Sequence, residues 1–152
     1  MICALVLAAG RSQRMGTQKL LLSVSGQPML ARIVDQVLAS PIDRVFVVTG
    51  ADRHRLAAAL AGRPVTFVVN ADEQGEMLSS VRCGLVALPP ECTAALIVLG
   101  DLPGLTADVV ARLLQAFQTA GCGIVVPTSN GRRGHPLLVS LRYRDEILTC
   151  YE

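Results

Sequence analysis

The chain of 152 residues is the size of one domain and long enough to bury roughly 68–70% of the surface its unfolded form exposes. Its 14 basic and 12 acidic residues leave a formal charge of +2, which gives no case for a nucleic-acid or anionic-membrane partner. Hydrophobic residues make up 51% and aromatic ones 3%, so the core must be aliphatic, and the short apolar start without a basic stretch argues against a signal peptide or membrane span. The apolar run Ala4 to Ala8 predicts a buried strand. It breaks at Gly10 into a polar loop holding Arg11, Arg14, Gly16 and Lys19. Small residues at Ala8, Ala9 and Gly10 let a ligand approach the backbone closely. Successive N–H groups in such a loop form an anion-binding concavity, to which arginine adds a bidentate fork and lysine a point charge. These are the parts of a triphosphate site. Lys19 is the only lysine of the chain, so its place at the end of this loop is informative.

Leu20 to Val24 predicts a brief strand, Ser25 to Pro28 a turn, and Met29 to Leu38 a helix, from apolar residues at helical spacing. Arg44 to Thr49 is a second buried strand. Asp52 to Leu60 is an alanine-rich helix stopped by Gly62, and Val65 to Val69 a third strand. The polar loop Asn70 to Glu76 precedes a helix from Met77 to Leu88. The strand Ala94 to Leu99 ends directly in Gly100-Asp101. Thr106 caps a helix to about Ala120, Gly123 to Val126 is a fifth strand, and a loop carrying Gly131 to His135 leads to a strand at Leu137 to Val139. Leu141 to Tyr151 reads as a final helix. Strands that are apolar throughout and alternate with helices predict a parallel sheet covered on both faces. Ligands bind beyond the carboxyl ends of such strands, so the loops at Gly10–Lys19, Asn70–Glu76, Gly100-Asp101 and Arg133–His135 converge on one cleft. The five cysteines, Cys3, Cys83, Cys92, Cys122 and Cys150, are scattered, and predict buried free thiols in a reducing cytoplasm.

Several residue patterns point to chemistry. Asp101, at a strand end beside a triphosphate loop, suits a Mg²⁺ ligand, because magnesium takes one or two carboxylates and completes its shell with water and phosphate oxygens. A turn aspartate in Gly-Asp-x-Pro-Gly is the competing structural reading. Asn70 at a strand end suits a base edge or ribose, and Ser79 and Ser80 lie near a helix start, where N–H groups favour anions; on pattern alone, plain capping and turn chemistry is the stronger reading of both. His54, Arg53, Arg55, Arg112, Arg142 and Arg144 read as solvated helix residues.

The stretch Leu7-Ala-Ala-Gly-Arg-Ser-Gln-Arg-Met-Gly-Thr-Gln-Lys19 resembles the signature L-A-A-G-x-S-x-R-M-G-x-x-K of the MobA-like nucleotidyltransferases. Within them it is most similar to the branch that includes molybdenum cofactor cytidylyltransferase. It is neither the P-loop nor the dinucleotide fingerprint. Arg132-Arg-Gly-His-Pro136 resembles the Arg-Gly-His-Pro segment that lines the acceptor pocket in that family. The resemblance implies one domain over residues 1–152, a three-layer, doubly wound (Rossmann-like), mostly parallel α/β sheet of the nucleotide-diphospho-sugar-transferase type. It implies transfer of CMP from CTP to a phosphorylated acceptor of the molybdopterin type, with Mg²⁺ as cofactor and pyrophosphate as product. Arg14, Lys19 and Asp101 would be catalytic, with Asp101 on the metal. Leu7, Ala8, Ala9, Gly10, Arg11, Gly16, Asn70, Ser79 and Gly100 would line the nucleotide, and Arg133 and His135 the acceptor. Proteins of molybdoenzyme maturation are the implied partners, in the cytoplasm. Family members continue for some tens of residues and supply a second metal-ligating aspartate. This sequence stops at Glu152 without it, which implies either a fragment truncated at its C-terminus or a shortened member with an incomplete metal site. A sugar or alcohol phosphate as acceptor, or GTP as donor, stays open as well, and so do two other classes. An NAD(P)-binding oxidoreductase requires an acidic residue at the end of the second strand, where Thr49-Gly50 stands. A non-catalytic nucleotide-binding protein requires only the first loop.

Overall fold

The apolar runs Ile2–Ala8, Arg44–Thr49 and Ala94–Leu99 become strands whose two faces are covered by neighbours from other parts of the chain. A computed structural model describes residues 1–9 and 16–150. In chain order, β1 spans Ile2–Ala8, α1 Gly16–Leu21, β2 Ser23–Val24, β3 Gln27–Pro28, α2 Met29–Leu38, β4 Arg44–Thr49, α3 Arg53–Ala59 and β5 Val65–Val69. Then come α4 at Met77–Ala87, β6 at Ala94–Leu99, α5 at Ala107–Ala120, β7 at Ile124–Val125, β8 at Thr128–Ser129, β9 at Arg132–Arg133 and β10 at Leu137–Ser140. A 3₁₀ turn at Leu141–Tyr143 leads into α6, Arg144–Thr149.

The main sheet has the order β5-β4-β1-β6-β10-β7. β5, β4, β1 and β6 pair in parallel, and β10 runs antiparallel to both β6 and β7. The sheet is therefore mixed and mostly parallel. The reversal follows from the connection: no helix joins β7 to β10, and strands without a crossover return antiparallel. One aliphatic core lies under α2, α3 and α5, built on Leu30, Ile33, Val34, Val37, Leu56, Val110 and the facing side chains of the sheet. A second, on the opposite face, joins Leu5, Phe46 and Ile97 to Leu85 of α4 and to Leu88 just beyond it, with Ile147 and Leu148 of α6 packed against it. Helices on both faces and a carbon-rich sheet between them make the three-layer α/β fold.

The chain first builds outward from β1 to β4 and β5, then returns through α4 to place β6 on the other side of β1. β1 and β6 thus flank the point where strand order reverses, and a crevice opens there beyond their carboxyl ends.

Three expectations need correction. Leu20 and Leu21 belong to α1 rather than to a strand, because Leu20 is 5% exposed and turns into the core; only Ser23–Val24 is extended, paired with Gln27–Pro28 across a two-residue turn. The expected plain loop before β10 contains a hairpin, β8–β9, closed by Asn130-Gly131, both at positive φ (51° and 75°). The cysteines are not all free: Cys3 and Cys92 form a disulfide. The parallel register of β1 on β6, with Ile2 opposite Ala94, brings the residues before and after into reach, and their Cα atoms lie 6.4 Å apart, inside the usual range for a bridge. Cys83 is a half-buried free thiol, and Cys122 and Cys150 are exposed ones. Among the described residues no helix is long and apolar enough to cross a membrane.

Candidate active site

Leu7 and Ala8 end β1 and stand beside Leu99 and Gly100 at the end of β6. Gly100 donates its N–H to the Leu7 carbonyl at 3.0 Å. A side chain at Gly100 would meet that carbonyl oxygen at 2.9 Å, Leu20 Cδ2 at 3.2 Å and Leu30 Cδ1 at 3.3 Å. Glycine is therefore required here for a close approach, not for its backbone freedom. The space left by the missing Cβ is filled by Leu20, and burying a leucine contributes about 1.5–3 kcal/mol. This anchor fixes the end of α1 against the end of β6. Its immediate consequence is the pairing of the next residues out: Lys19 Nζ donates to Asp101 Oδ2 at 3.2 Å across 82 residues of sequence. The two side chains are 46% and 42% exposed, so the pair itself contributes only about 0–1 kcal/mol. Packing builds the pair, and the pair adds little to folding.

A second group sits at the end of β5. Asn70 Nδ2 donates to Ser79 Oγ at 3.1 Å and to Ser80 Oγ at 3.2 Å. Its Oδ1 accepts the Asp72 N–H, and Ser79 Oγ in turn donates to Asp72 Oδ2 at 3.1 Å. A Cβ on Gly75 would lie 2.5 Å from Ser79 Oγ and 2.7 Å from Asp72 Oδ2, which explains the Gly-x-x-x-Ser spacing: the hydroxyl occupies the place of the absent side chain. Asn70 spends both amide hydrogens on the serines. Among the described residues no hydrogen bond joins this group to Lys19 or Asp101.

A third group follows β7. Thr128, Ser129, Asn130, Arg132, Arg133 and His135 line an open hollow of about 640 Å³. The His135–Pro136 peptide is cis. Because β10 is antiparallel, this segment reaches the same edge of the sheet as the other two groups. Ala9, with its Cβ 3.8 Å from where a Cβ on Gly50 would lie, stands at that edge too. Gly10, Arg11 and Arg14 lie outside the described residues; Gly16 is the first residue of α1. His54 is exposed, as expected. Two arginines are more engaged than the sequence implied: Arg142 stacks on the Tyr143 ring at 4.8 Å, and Arg144 donates to the Val86 carbonyl at 3.3 Å.

A family model, the MobA-like NTP transferase domain, matches residues 4–152. The chain belongs to this family. Among curated relatives, the bifunctional protein GlmU of Mycobacterium sp. strain KMS is 34% identical over 95% of this chain and 30% of its own length. The GlmU protein of Burkholderia orbicola strain MC0-3 is 31% identical over 88% of this chain. The chain thus spans about a third of the curated relatives it matches. Among solved structures, Rv0371c of Mycobacterium tuberculosis H37Rv superposes with a TM-score of 0.86 at 28% identity, covering 97% of this chain and 75% of its own. A nucleotidyl transferase from Methanothermobacter, Mth528, gives 0.83 at 26% identity, covering 100% and 77%.

Within this MobA-like frame, two features escaped the sequence reading. Asp72 had no pattern to mark it as the acceptor for Ser79. The β8–β9 hairpin had the strongest short hairpin signature available, Asn-Gly, and it is what raises Arg132 and Arg133 to the rim.

Proposed function

We propose that this MobA-like domain transfers a nucleoside monophosphate from a nucleoside triphosphate to a phosphorylated small-molecule acceptor, with CTP as donor and a molybdopterin-type acceptor. The observation that carries the reading is the meeting of Lys19 and Asp101 at the switch point of the sheet, where α/β folds hold their ligands. An acceptor phosphate oxygen attacks the α-phosphorus. The new P–O bond forms as the bond to the α–β bridging oxygen breaks, and pyrophosphate leaves with that electron pair. The nucleophile is already ionised, so positioning and charge neutralisation supply the catalysis. Lys19, with Arg14, holds the β- and γ-phosphates and takes up charge on the leaving group. Leu7, Ala8 and Ala9 form the wall against which the nucleoside lies, and Arg133 and His135 receive the acceptor phosphate.

The donor set at Asp101 fits a divalent metal that arrives with phosphate. Asp101 offers one half-exposed carboxylate, and among the described residues no group of three or more His, Cys, Asp or Glu side chains surrounds it. A hard cation such as Mg²⁺ completes such a shell with phosphate oxygens and water, and polarises the phosphoryl group. Rv0371c, the similar structure named above, was also solved in complex with manganese.

CTP is preferred over GTP because the Ala9 methyl narrows the space that a glycine at this place would leave. One methyl is worth about 1–3 kcal/mol, so the preference is graded, roughly 10–200-fold, and Ala9→Gly narrows it. The similarity to GlmU proteins keeps sugar phosphates among the acceptors to be compared. The test is pyrophosphate release from each of the four nucleoside triphosphates against molybdopterin and a panel of sugar and alcohol phosphates. Equal kcat/KM for CTP and GTP would remove the cytidylyl assignment, and no release with any pair would remove the transferase reading.

A further inference from the structure

We infer that Lys19 is a stand-in cation at Asp101, so that the site admits a divalent metal only together with a triphosphate. The inference rests on the reading of Asp101 as the metal ligand and Lys19 as a phosphate ligand. In the ligand-free chain the Lys19 ammonium lies 3.2 Å from Oδ2 of the Asp101 carboxylate that a metal would use. Both side chains are close to half exposed, so solvent ions reach the carboxylate without opening the core. A free divalent ion would meet one carboxylate, no cluster of other acidic, His or Cys ligands among the described residues, and a positive charge at bonding distance. Like charges at that range oppose each other even through a high dielectric.

A triphosphate changes the balance. It offers Lys19 several anionic oxygens in place of one and supplies the metal with the oxygens that the protein lacks. Lys19 moves from carboxylate to phosphate, Asp101 is released to the metal, and each ligand raises the affinity of the other by the same factor. The choice of lysine fits this exchange. Lysine carries three rotatable donors on a flexible stem, whereas an arginine fork grips a carboxylate with both arms and lets go less readily. Every other basic side chain in the sequence is arginine, and the one position that must change partners is lysine.

The test is titration of the full chain with Mn²⁺ in the absence of nucleotide, with free Mn²⁺ followed by electron paramagnetic resonance. The Lys19→Met variant, and Lys19→Gln as a second neutral replacement, should bind Mn²⁺ about tenfold more tightly than the parent chain. Lys19→Arg should bind as weakly as the parent, because the blocking charge remains. Asp101→Asn added to Lys19→Met should abolish the gain. Unchanged or weaker Mn²⁺ binding in both neutral variants overturns the inference, as does a gain that survives Asp101→Asn. Pyrophosphate release is scored apart from this. The Mn²⁺ gain without turnover by the parent chain leaves the stand-in role and removes the transferase reading, whereas turnover without the gain removes the stand-in role alone.

Discussion

Gly100 shows how much of the site rests on a side chain that is absent. Its N–H bonds Leu7, its empty flank receives Leu20, and the neighbours of both, Lys19 and Asp101, meet as a result. Gly100→Ala would press a methyl against a backbone carbonyl that has no rotamer to escape into. Overpacking of this kind costs about 1–3 kcal/mol, and here it also parts α1 from β6. The variant should lose that much stability in urea denaturation and should bind triphosphate more weakly than its residual fold accounts for; a methyl accepted with wild-type binding would show that the approach is not what sets the pair. Asp101→Asn separates the two effects. It removes a half-exposed charge and leaves the packing untouched, so metal-dependent pyrophosphate release should fall by at least about 10²-fold, the size expected when one preorganised charge interaction is lost. The unfolding midpoint should move by less than the ~0.5 kcal/mol typical of surface changes. Wild-type turnover in this variant would refute the assignment of the metal to Asp101.

Among the elements, those with strong periodicity were legible in advance. α2, β4, β5, β6 and α5 fall at the residues that apolar spacing and Thr106 indicate, and Thr106 Oγ1 accepts the Val109 N–H as a cap should. Short elements were not legible in the same way. Two-residue strands such as β8 and β9 carry no period to read, and the direction of β10 depends on a connection rather than on its own residues. The elements that bear the site were located by their polar ends, but their internal contacts were hidden. α4 is the clearest case: Gly84, unremarked in the sequence, lets the helix rest on β1, where an added Cβ would meet Leu5 Cδ1 at 2.9 Å. The start of the same helix carries a sharper test. Gly75→Ala would collide with Ser79 Oγ and Asp72 Oδ2 and break the relay from Asn70. The expected outcome is a raised KM for the nucleotide with stability down by about 1–3 kcal/mol; an unchanged KM would show that the Asn70–Ser79 group does not serve the nucleotide.

At the scale of the whole molecule the sheet divides two tasks between its two rims. The carboxyl rim carries the polar loops. The amino rim is tied together, with Thr93 N–H on the Met1 carbonyl, Asp43 N–H on that of Ile2, Leu141 N–H on that of Thr93, and the Cys3–Cys92 bond across residues 89 apart. Closing a loop of that length constrains the unfolded chain by up to about 4–5 kcal/mol. Reduction should therefore lower the urea midpoint while triphosphate affinity in the folded state stays the same; equal midpoints with and without reductant would show that the bond does not contribute. Burial pushes the Cys83 thiol up from its ordinary value, so at pH 8 less of it is thiolate and alkylation should be slowest there. Cys122 and Cys150, both exposed, should react first.

The same polarity makes the molecule easy to orient from outside. Cys122 stands just before β7, at the end of the sheet away from Lys19 and Asp101, with its sulfur open to solvent. With Cys150 replaced by serine, a maleimide tether at Cys122 would hold the domain on a surface with its loop-bearing rim turned to the solution. A dye at that thiol would report on tumbling and assembly without entering the crevice. A single exposed residue thus becomes a fixed point from which every distance to the loop-bearing rim can be measured.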